Sequence, residues 1–331
     1  MLLKLAERRA RVRHPHSILR KRSEVVGKQY LFDQGEAAAN KLWGLTGQYV
    51  CPLCQARSER EALAEQELTL EHVPPEAIGG TAIILTCKRC NSTAGHTIDA
   101  EVASREALQD FQRMMLEAEV GATARAIITW GNERVTVDVE VDQDGTTGFK
   151  VLGKLNNPAK VQAAMEYMKR LAAEDRTDGY TFQVISFRRF DQRLARVSDL
   201  RSAFLLCVAK FGYSYGFNPP LRDVLKQITN PNDPILDRWW FDNHPDAKQD
   251  TIAVAEQDGI VILTFADRLT FLPWPTHSIE HYRGLMTAIT KKRPITFSDA
   301  VKVPWPTSFE ALYDHARTGP LAPTTAQDTR I

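Results

Sequence analysis

Four of the five cysteines form two closely spaced pairs, which are Cys51-Pro-Leu-Cys54 and Cys87-Lys-Arg-Cys90. Two thiolates separated by two residues on a tight turn can bind the same ion, and a second such pair completes the tetrahedral sulfur shell that structural zinc prefers. A redox pair or four buried thiols would show the same spacing. The zinc interpretation is favoured, and a shell closed by four cysteines leaves no coordination position for chemistry.

The composition excludes several classes of protein. The 331-residue chain is 43% hydrophobic and 25% charged, as ordinary globular proteins are. It has no apolar run long enough for a membrane span, and no apolar stretch follows the basic N-terminus as in a secretory signal. We therefore expect a cytoplasmic protein whose paired cysteines bind metal and do not form disulfides. The fifth cysteine, Cys207, lies in the apolar stretch AFLLCVAKF and is expected in a core.

Positive charge is concentrated at the N-terminus. Residues 1–28 hold nine lysines and arginines against two glutamates, a charge of +7, whereas the formal net charge of the chain is +1. A basic arm on a near-neutral body suggests a polyanionic partner, although a solvated helix face or a disordered tail would show the same charge. The arm residues predicted to contact nucleic-acid phosphates are Arg8, Arg9, Arg11, Arg13, Arg20, Lys21 and Arg22.

The pattern of apolar and polar residues predicts an α+β fold. The stretches LTLEHV and AIILTC, between the cysteine pairs, predict two short strands, and a helix is predicted to follow them. After residue 120, alternating residues and Gly-Asn and Asp-Gly turns predict an antiparallel sheet, followed by helices and a hairpin at Asp258-Gly259. We therefore predict a small zinc-stabilised core and a larger mixed α+β domain with an antiparallel sheet. The predicted domains are a basic helical arm at 1–45, the zinc-bound domain at 46–110, the α+β domain at 111–317 and a disordered tail at 318–331.

Residues able to hydrolyse a phosphodiester lie beside the cysteine pairs. Such hydrolysis needs a base that activates water, a divalent cation that neutralises developing charge, and a positioned phosphate. His72 offers an imidazole, which can accept a proton near pH 7. Glu71 and Asn91 offer the hard oxygen ligands that Mg²⁺ or Mn²⁺ prefers. Taken alone, Glu71-His72 would more often be a surface glutamate and a structural histidine, but the zinc clamp around the pair and the nearby Asn91 favour catalysis.

The combined pattern resembles the HNH endonuclease superfamily, in particular its branch with a ββα-metal core and a four-cysteine zinc site. The resemblance covers about residues 48–105 and rests on Cys-x-x-Cys, Glu-His-x-x-Pro, Gly-Gly and Cys-x-x-Cys-Asn. It implies a metal-dependent nuclease acting on DNA, with His72 as general base and with Glu71 and Asn91 as ligands of a catalytic Mg²⁺ or Mn²⁺. The structural zinc ligands implied by the resemblance are Cys51, Cys54, Cys87 and Cys90.

Two positions depart from the family pattern. The residue before the base is usually Asp, and here it is Glu71, one methylene longer. The asparagine that orients the base in many members is replaced by Ala82. Either another group, such as a backbone carbonyl, orients His72, or catalysis is weakened. His96 and Asp99, on the predicted helix, are candidates for an extra metal ligand or a supporting group.

The partner implied by the resemblance is double-stranded DNA, with Lys88 and Arg89 contacting its phosphates. The sequence leaves open a homodimer or an activating protein partner, DNA versus RNA, and nicking versus double-strand cleavage. An anti-phage defence or mobile-element role follows only by analogy. The alternative function is a non-catalytic zinc-ribbon protein that binds nucleic acid or acts as an adaptor, which Ala82 favours and the intact catalytic set disfavours.

Overall fold

The computed structural model describes residues 27–116, 123–141, 147–174, 179–185, 189–242, 250–266, 268–291 and 300–310. Outside these ranges lie the tail predicted at 318–331 and the arm residues Arg8, Arg9, Arg11, Arg13, Arg20, Lys21 and Arg22. The described residues fall into two compact units, one within Met1–Ile98 and Arg196–Ile331 and the other within Asp99–Ala195. The first unit therefore combines two separate stretches of the chain. The four predicted domains remain a prediction.

The first stretch of the first unit carries the predicted zinc-binding and catalytic residues. Its helices and strands are α1 (Lys28–Trp43), β1 (Gln48–Val50), β2 (Arg57–Glu59), β3 (Leu68–Val73), β4 (Thr81–Cys87) and α2 (Lys88–Ala94). β1 pairs with β2, and β3 pairs with β4, both antiparallel. The apolar residues that hold these elements together form a small core of Leu31, Phe32, Tyr49, Leu68 and Leu85.

The hairpin of β3 and β4, followed directly by α2, has the predicted ββα order. Glycines shape the connection between the two strands. Gly79 has a φ of 84°, and a Cβ added to Gly80 would lie 1.4 Å from the Pro74 carbonyl oxygen. Glycine is the residue that tolerates the positive φ at position 79 and the close backbone contact at position 80 without displacing the chain. α2 then begins at Lys88, immediately after Cys87, so the second cysteine pair lies at the junction of strand and helix.

The second unit contains an antiparallel sheet with a helix against it. Its elements are α3 (Ala100–Leu116), β5 (Thr123–Trp130), β6 (Glu133–Val141), β7 (Thr147–Val151), α4 (Pro158–Ala173) and β8 (Thr181–Val184). The strand order is β7-β6-β5-β8. Alternating residues of β5 and β6 pack with α4 in a core of Ala126, Ile128, Val135, Val137, Val139 and Ala164. This sheet has the antiparallel form predicted for the region after residue 120.

The second stretch of the first unit begins within a long helix. Its elements are α5 (Gln192–Phe211, part of the first unit from Arg196), α6 (Tyr213–Gly216), α7 (Arg222–Thr229), β9 (Trp240–Asp242), β10 (Thr251–Ala255), β11 (Ile260–Phe265), β12 (Arg268–Pro273), α8 (Ile279–Thr290) and β13 (Val301–Val303). The strands form an antiparallel sheet in the order β13-β10-β11-β12-β9. β10 and β11 pair across Asp258-Gly259, as predicted. The mixed α+β fold with antiparallel sheets is therefore confirmed.

Helix α5 is buried along most of its length. Residues 197–211 are all buried, and Cys207 is 0% exposed, as predicted. Two of the buried residues, Arg201 and Lys210, are cationic, and a buried charge must be paired. Among the described residues, none of the helices combines the length and the apolar character that crossing a membrane requires.

Tyrosine side chains tie the two stretches of the first unit together. The Tyr49 hydroxyl donates to the Leu85 carbonyl of β4 at 2.8 Å. The Tyr213 hydroxyl, from α6, donates to the Val50 carbonyl of β1 at 2.7 Å. Both tyrosines are buried. The residues predicted to form the site are therefore supported by the C-terminal stretch of the chain as well as by their own hairpin.

Candidate active site and metal centre

The four paired cysteines converge on one point. Their sulfur atoms all lie within 4.8 Å of one another, and those of Cys54 and Cys87 are 3.6 Å apart. A tetrahedral ion with Zn–S bonds of about 2.3 Å requires sulfur atoms about 3.8 Å apart. The cluster of Cys51, Cys54, Cys87 and Cys90 is therefore compatible with a structural zinc ion.

Local backbone geometry brings the two cysteine pairs together. After β1, the Gln55 N–H donates to the Cys51 carbonyl at 2.9 Å, and the Cys51 N–H donates to the Ala56 carbonyl at 2.9 Å. Gln55 has a positive φ of 61°, which closes this turn. At the start of α2, the Cys87 N–H approaches the Cys51 sulfur at 3.4 Å. Such N–H donors stabilise the thiolate form that zinc requires.

The clustered thiols perturb one another's ionisation. Burial raises the pKa of the Cys51 thiol well above its ordinary value. The hydrogen bond with Cys51 lowers the pKa of Cys87 to about 7. These opposite directions arise because several thiolates cannot lie side by side in a buried cluster without a compensating positive charge. A divalent cation bound by all four sulfurs would supply that charge.

Glu71 lies in β3 and is paired with an arginine from α5. Its side chain is buried, and its Oε2 accepts a hydrogen bond from the Thr86 hydroxyl at 2.9 Å. The same oxygen accepts from a guanidinium nitrogen of Arg201 at 2.5 Å. Both partners of this ion pair are buried, with side chains 1% and 4% exposed. The predicted metal ligand is therefore held by the chain itself through Oε2.

Asn91 lies on α2 and is hydrogen-bonded to β3. Its Nδ2 donates to the Thr69 hydroxyl at 2.9 Å and to the Leu70 carbonyl at 3.1 Å. A carbonyl can only accept, so the amide nitrogen must face the strand and Oδ1 must face away from these contacts. Asn91 is thereby fixed against the residue that immediately precedes Glu71-His72.

His72 follows Glu71 in β3 and is half-buried. The register of the hairpin shifts between these two residues, because Glu71 pairs with Ile84 and His72 pairs with Ala82. Ile83 is the extra residue, so β4 is bulged at this point. In a regular strand, consecutive side chains point to opposite faces, and a bulge re-aims side chains locally. The shift in strand pairing lies between Glu71 and His72, which are the two residues predicted to act together.

A comparison with known proteins agrees with this geometry. The family model described as HNH endonuclease matches residues 51–106. This segment is of the HNH type. The resemblance predicted over about residues 48–105 is therefore confirmed, and it suggests nuclease activity. No curated protein and no solved structure matches the chain.

Two further candidates lie just beyond α2 in the HNH segment. His96 and Asp99 are in a wide helical turn over Gly95–Asp99, with His96 exposed and Asp99 half-buried. Among the described residues, the four cysteines are the only group of three or more His, Cys, Asp or Glu side chains whose ligand atoms come together. The structure therefore does not gather His96 or Asp99 into a cluster of that kind, and their predicted roles stay predictions.

Lys88 and Arg89, predicted to contact phosphates, lie at the exposed start of α2. Lys88 is 3.9 Å from Glu67 in a solvent-exposed ion pair. The pKa of Arg89 is raised, first by its hydrogen bond with Cys54 and then by the charge of that thiolate. Arg89 therefore lies beside the cysteine cluster, and its predicted contact with phosphates stays a prediction.

Arg201 is a partner of a predicted site residue, Glu71, that the sequence did not identify. A signal was present, because Arg201 lies just before the apolar stretch AFLLCVAKF, in which Cys207 was expected in a core. A buried cationic residue requires a partner of opposite charge. The sequence does not specify that partner, which lies 130 residues earlier in the chain. The helper roles of Thr69 and Thr86 were also not predicted, since both residues belong to ordinary strand patterns.

A cavity of about 320 Å³ lies in the C-terminal stretch of the first unit. Basic and aromatic side chains line part of it, including Arg238, Trp240, Tyr282, Arg283 and Lys291. None of the predicted site residues contributes to its lining. The cavity is therefore separate from the candidate active site in the HNH segment.

Proposed function

We propose that this chain is a metal-dependent HNH endonuclease that hydrolyses phosphodiester bonds in DNA. One observation carries the proposal: the amide of Asn91 is hydrogen-bonded to β3 at Thr69 and Leu70, directly before Glu71-His72, within the segment that matches the HNH family. This contact, between α2 and the strand that carries Glu71 and His72, supports the proposal.

His72 is proposed to act as the general base. A neutral imidazole can take a proton from water near pH 7, and the resulting hydroxide attacks phosphorus while the P–O bond to the leaving oxygen breaks. The imidazole is partly exposed, so water can reach it. The proton released by water passes to the imidazole, and the leaving oxygen acquires the electron pair of the broken bond.

Glu71 and Asn91 are proposed to hold the catalytic cation. A carboxylate oxygen and an amide oxygen form the donor set that Mg²⁺ or Mn²⁺ prefers, so the residues fit such an ion. When bound, the ion would stabilise the negative charge that develops on the phosphate and the leaving oxygen. The hydrogen bonds of Asn91 to β3 orient its Oδ1, and those of Thr86 and Arg201 orient the Glu71 carboxylate.

Double-stranded DNA is the proposed substrate. Its phosphates would be contacted by the basic N-terminal arm and by Lys88 at the exposed start of α2. These contacts position the backbone and do not read sequence. A homodimer or an activating partner, and a role in anti-phage defence or a mobile element, would fit the same activity by analogy with the family.

Cleavage of supercoiled plasmid in Mg²⁺ or Mn²⁺ tests the proposal. Wild type should nick or linearise the plasmid, and His72→Ala should abolish cleavage while the zinc content stays unchanged. His281→Ala is a matched control, because this histidine is exposed on α8 and lies outside the HNH segment. Cleavage by His72→Ala at the wild-type rate would rule out His72 as the base.

The non-catalytic nucleic-acid-binding function remains the second candidate. It is favoured by Ala82, which leaves the position opposite His72 without a polar side chain. In that case the same assay would give no cleavage by wild type or by His72→Ala, and a gel-shift measurement would still detect bound DNA.

A further inference from the structure

We propose that Arg201 is a positioning residue of the nuclease centre, supplied by α5 from outside the HNH segment. It would act through Glu71, by holding the carboxylate in the orientation that binds the catalytic cation. This inference rests on the proposed function. It extends the centre to a residue almost a hundred positions beyond the matched segment, which ends at residue 106.

The contact between Arg201 and Glu71 has the geometry of a fixed support. The guanidinium nitrogen lies 2.5 Å from Oε2, and the Thr86 hydroxyl reaches the same oxygen at 2.9 Å. Both charged side chains are buried, so neither is screened by water. Two donors on one carboxylate oxygen restrict its rotation, and charge-assisted hydrogen bonds are the stronger class of such contacts.

The backbone of α5 fixes the position of Arg201. Near the start of the helix, the Arg196 carbonyl accepts a hydrogen bond from the Trp239 indole at 3.0 Å. Near its end, the Ala209 carbonyl accepts from the Glu310 N–H at 2.6 Å. The helix between them is buried throughout. The guanidinium therefore extends from a rigid element, which can orient the carboxylate more precisely than a loop would.

The ion pair of Glu71 with Arg201 differs from a purely structural ion pair because Glu71 lies beside other predicted site residues. Glu71 immediately precedes His72, and Asn91 is hydrogen-bonded to the residue before Glu71. A displaced carboxylate would therefore disturb a proposed ligand. A second ion pair on the same helix, between the buried Lys210 and the partly exposed Glu310, involves none of the predicted site residues. It provides a control with similar burial of the cation and no expected effect on the centre.

Because Arg201 is positively charged, the direction in which its removal changes metal affinity is informative. Groups that orient a metal ligand typically contribute roughly 10–100-fold to metal affinity. A guanidinium that merely competed with the cation for Glu71 would have the opposite effect, because its removal would strengthen metal binding. The positioning role and the competing role are therefore distinguished by whether removal of Arg201 weakens or strengthens metal binding.

Binding of Mn²⁺ to the zinc-loaded full chain, followed by electron paramagnetic resonance of the free ion, provides the test. We expect Arg201→Met to weaken Mn²⁺ binding by about 10-fold or more, and Arg201→Lys to recover part of that loss. Lys210→Met should leave Mn²⁺ binding unchanged even where it lowers the melting temperature. Zinc content and melting curves identify any variant that fails to fold. If Arg201→Met does not fold, Arg201→Lys decides the outcome.

The Mn²⁺-binding and plasmid-cleavage results together distinguish a failure of the positioning role from a failure of the proposed function. Mn²⁺ binding by a folded Arg201 variant that equals or exceeds that of wild type overturns the positioning role, while plasmid cleavage by wild type would leave the proposed function intact. A wild-type chain that neither binds Mn²⁺ nor cleaves plasmid overturns the proposed function, and the inference with it. Equal weakening of Mn²⁺ binding by Arg201→Met and Lys210→Met would show that Arg201 acts only through the general stability of the protein. That result would also overturn the inference.

Discussion

Ala82 lies directly opposite His72 in the antiparallel pairing of β3 with β4. Side chains at opposed positions have Cβ atoms about 4.5–5.5 Å apart, which is within reach of a hydrogen bond from a longer side chain. Among the described residues, no side chain forms a hydrogen bond with the His72 imidazole. The departure at Ala82 therefore leaves the position opposite the proposed base without a polar side chain.

Replacing Ala82 with asparagine should accelerate cleavage. An amide oxygen at this position can accept from the imidazole N–H and thereby fix the ring and its tautomer, which second-neighbour groups of this kind do in other sites. We expect a gain in kcat of about 10-fold, measured on supercoiled plasmid at saturating Mn²⁺. Thr81→Asn is the register control, because Thr81 pairs with Val73. An Ala82→Asn rate no higher than wild type, in a folded protein, would show that the base is already oriented.

The ion pair of Glu71 with Arg201 should show strong energetic coupling. Arg201→Met leaves a buried carboxylate without its cation, and breaking a buried pair in this way costs about 3–5 kcal/mol in the free energy of unfolding. The double variant Glu71→Met with Arg201→Met should regain much of that loss, because neither charge remains buried. Urea unfolding of wild type, both single variants and the double variant measures the coupling. Additive losses would show that the two side chains do not interact in solution.

Removal of zinc should unfold the first stretch of the first unit. We expect one zinc per chain, and Cys90→Ser should reduce this stoichiometry because a hydroxyl is a poor zinc ligand. The metal should also be lost on acidification, since protons compete with zinc for the thiolates. Elemental analysis and a chelator titration followed by circular dichroism measure both effects. Cys207→Ala is the control, because this buried thiol belongs to α5 and should leave the zinc content unchanged.

The connection between β3 and β4 should be intolerant of any side chain at Gly80. A Cβ there would lie 1.4 Å from the Pro74 carbonyl oxygen, so Gly80→Ala must displace the backbone. We expect a loss of at least about 1–3 kcal/mol in the free energy of unfolding and weaker cleavage, because the displaced chain leads directly from β3. Gly284→Ala, on α8 with no atom within 4 Å of the added Cβ, should instead be neutral or stabilising. Unfolding curves of the two variants give the comparison.

Local patterns in the sequence predicted the elements that carry the HNH segment. LTLEHV was predicted as a strand and forms β3 over the same residues, and AIILTC forms β4 together with the preceding Thr81. LTLEHV mixes apolar and polar residues, and AIILTC is a short apolar run rich in β-branched residues. The cysteine spacing places both stretches between two turns. β2 was not predicted, because a three-residue strand such as Arg57–Glu59 is stabilised by its pairing with β1 and not by its own composition.

The parts of the site that the sequence could not predict depend on contacts between distant residues. The stretch that begins at Asn91 was predicted to be mostly helical, and the structure has α2, a wide helical turn over Gly95–Asp99, and then α3. The bulge at Ile83 leaves no mark in the apolar stretch Ile83-Ile84-Leu85, because the sequence pattern does not show which residue of β4 is unpaired. The role of Arg201 depends on where α5 packs, and the charge of a buried residue indicates that a partner exists without identifying it.

The 130-residue separation of Glu71 and Arg201 also has a consequence for protein synthesis. A ribosome that adds about 5–20 residues per second completes Arg201 on the order of ten seconds after Glu71. The whole of the second unit is translated in that interval. A partly made chain therefore carries the HNH residues while the Glu71 carboxylate still lacks its arginine, and the ion pair can form only after α5 has left the ribosome.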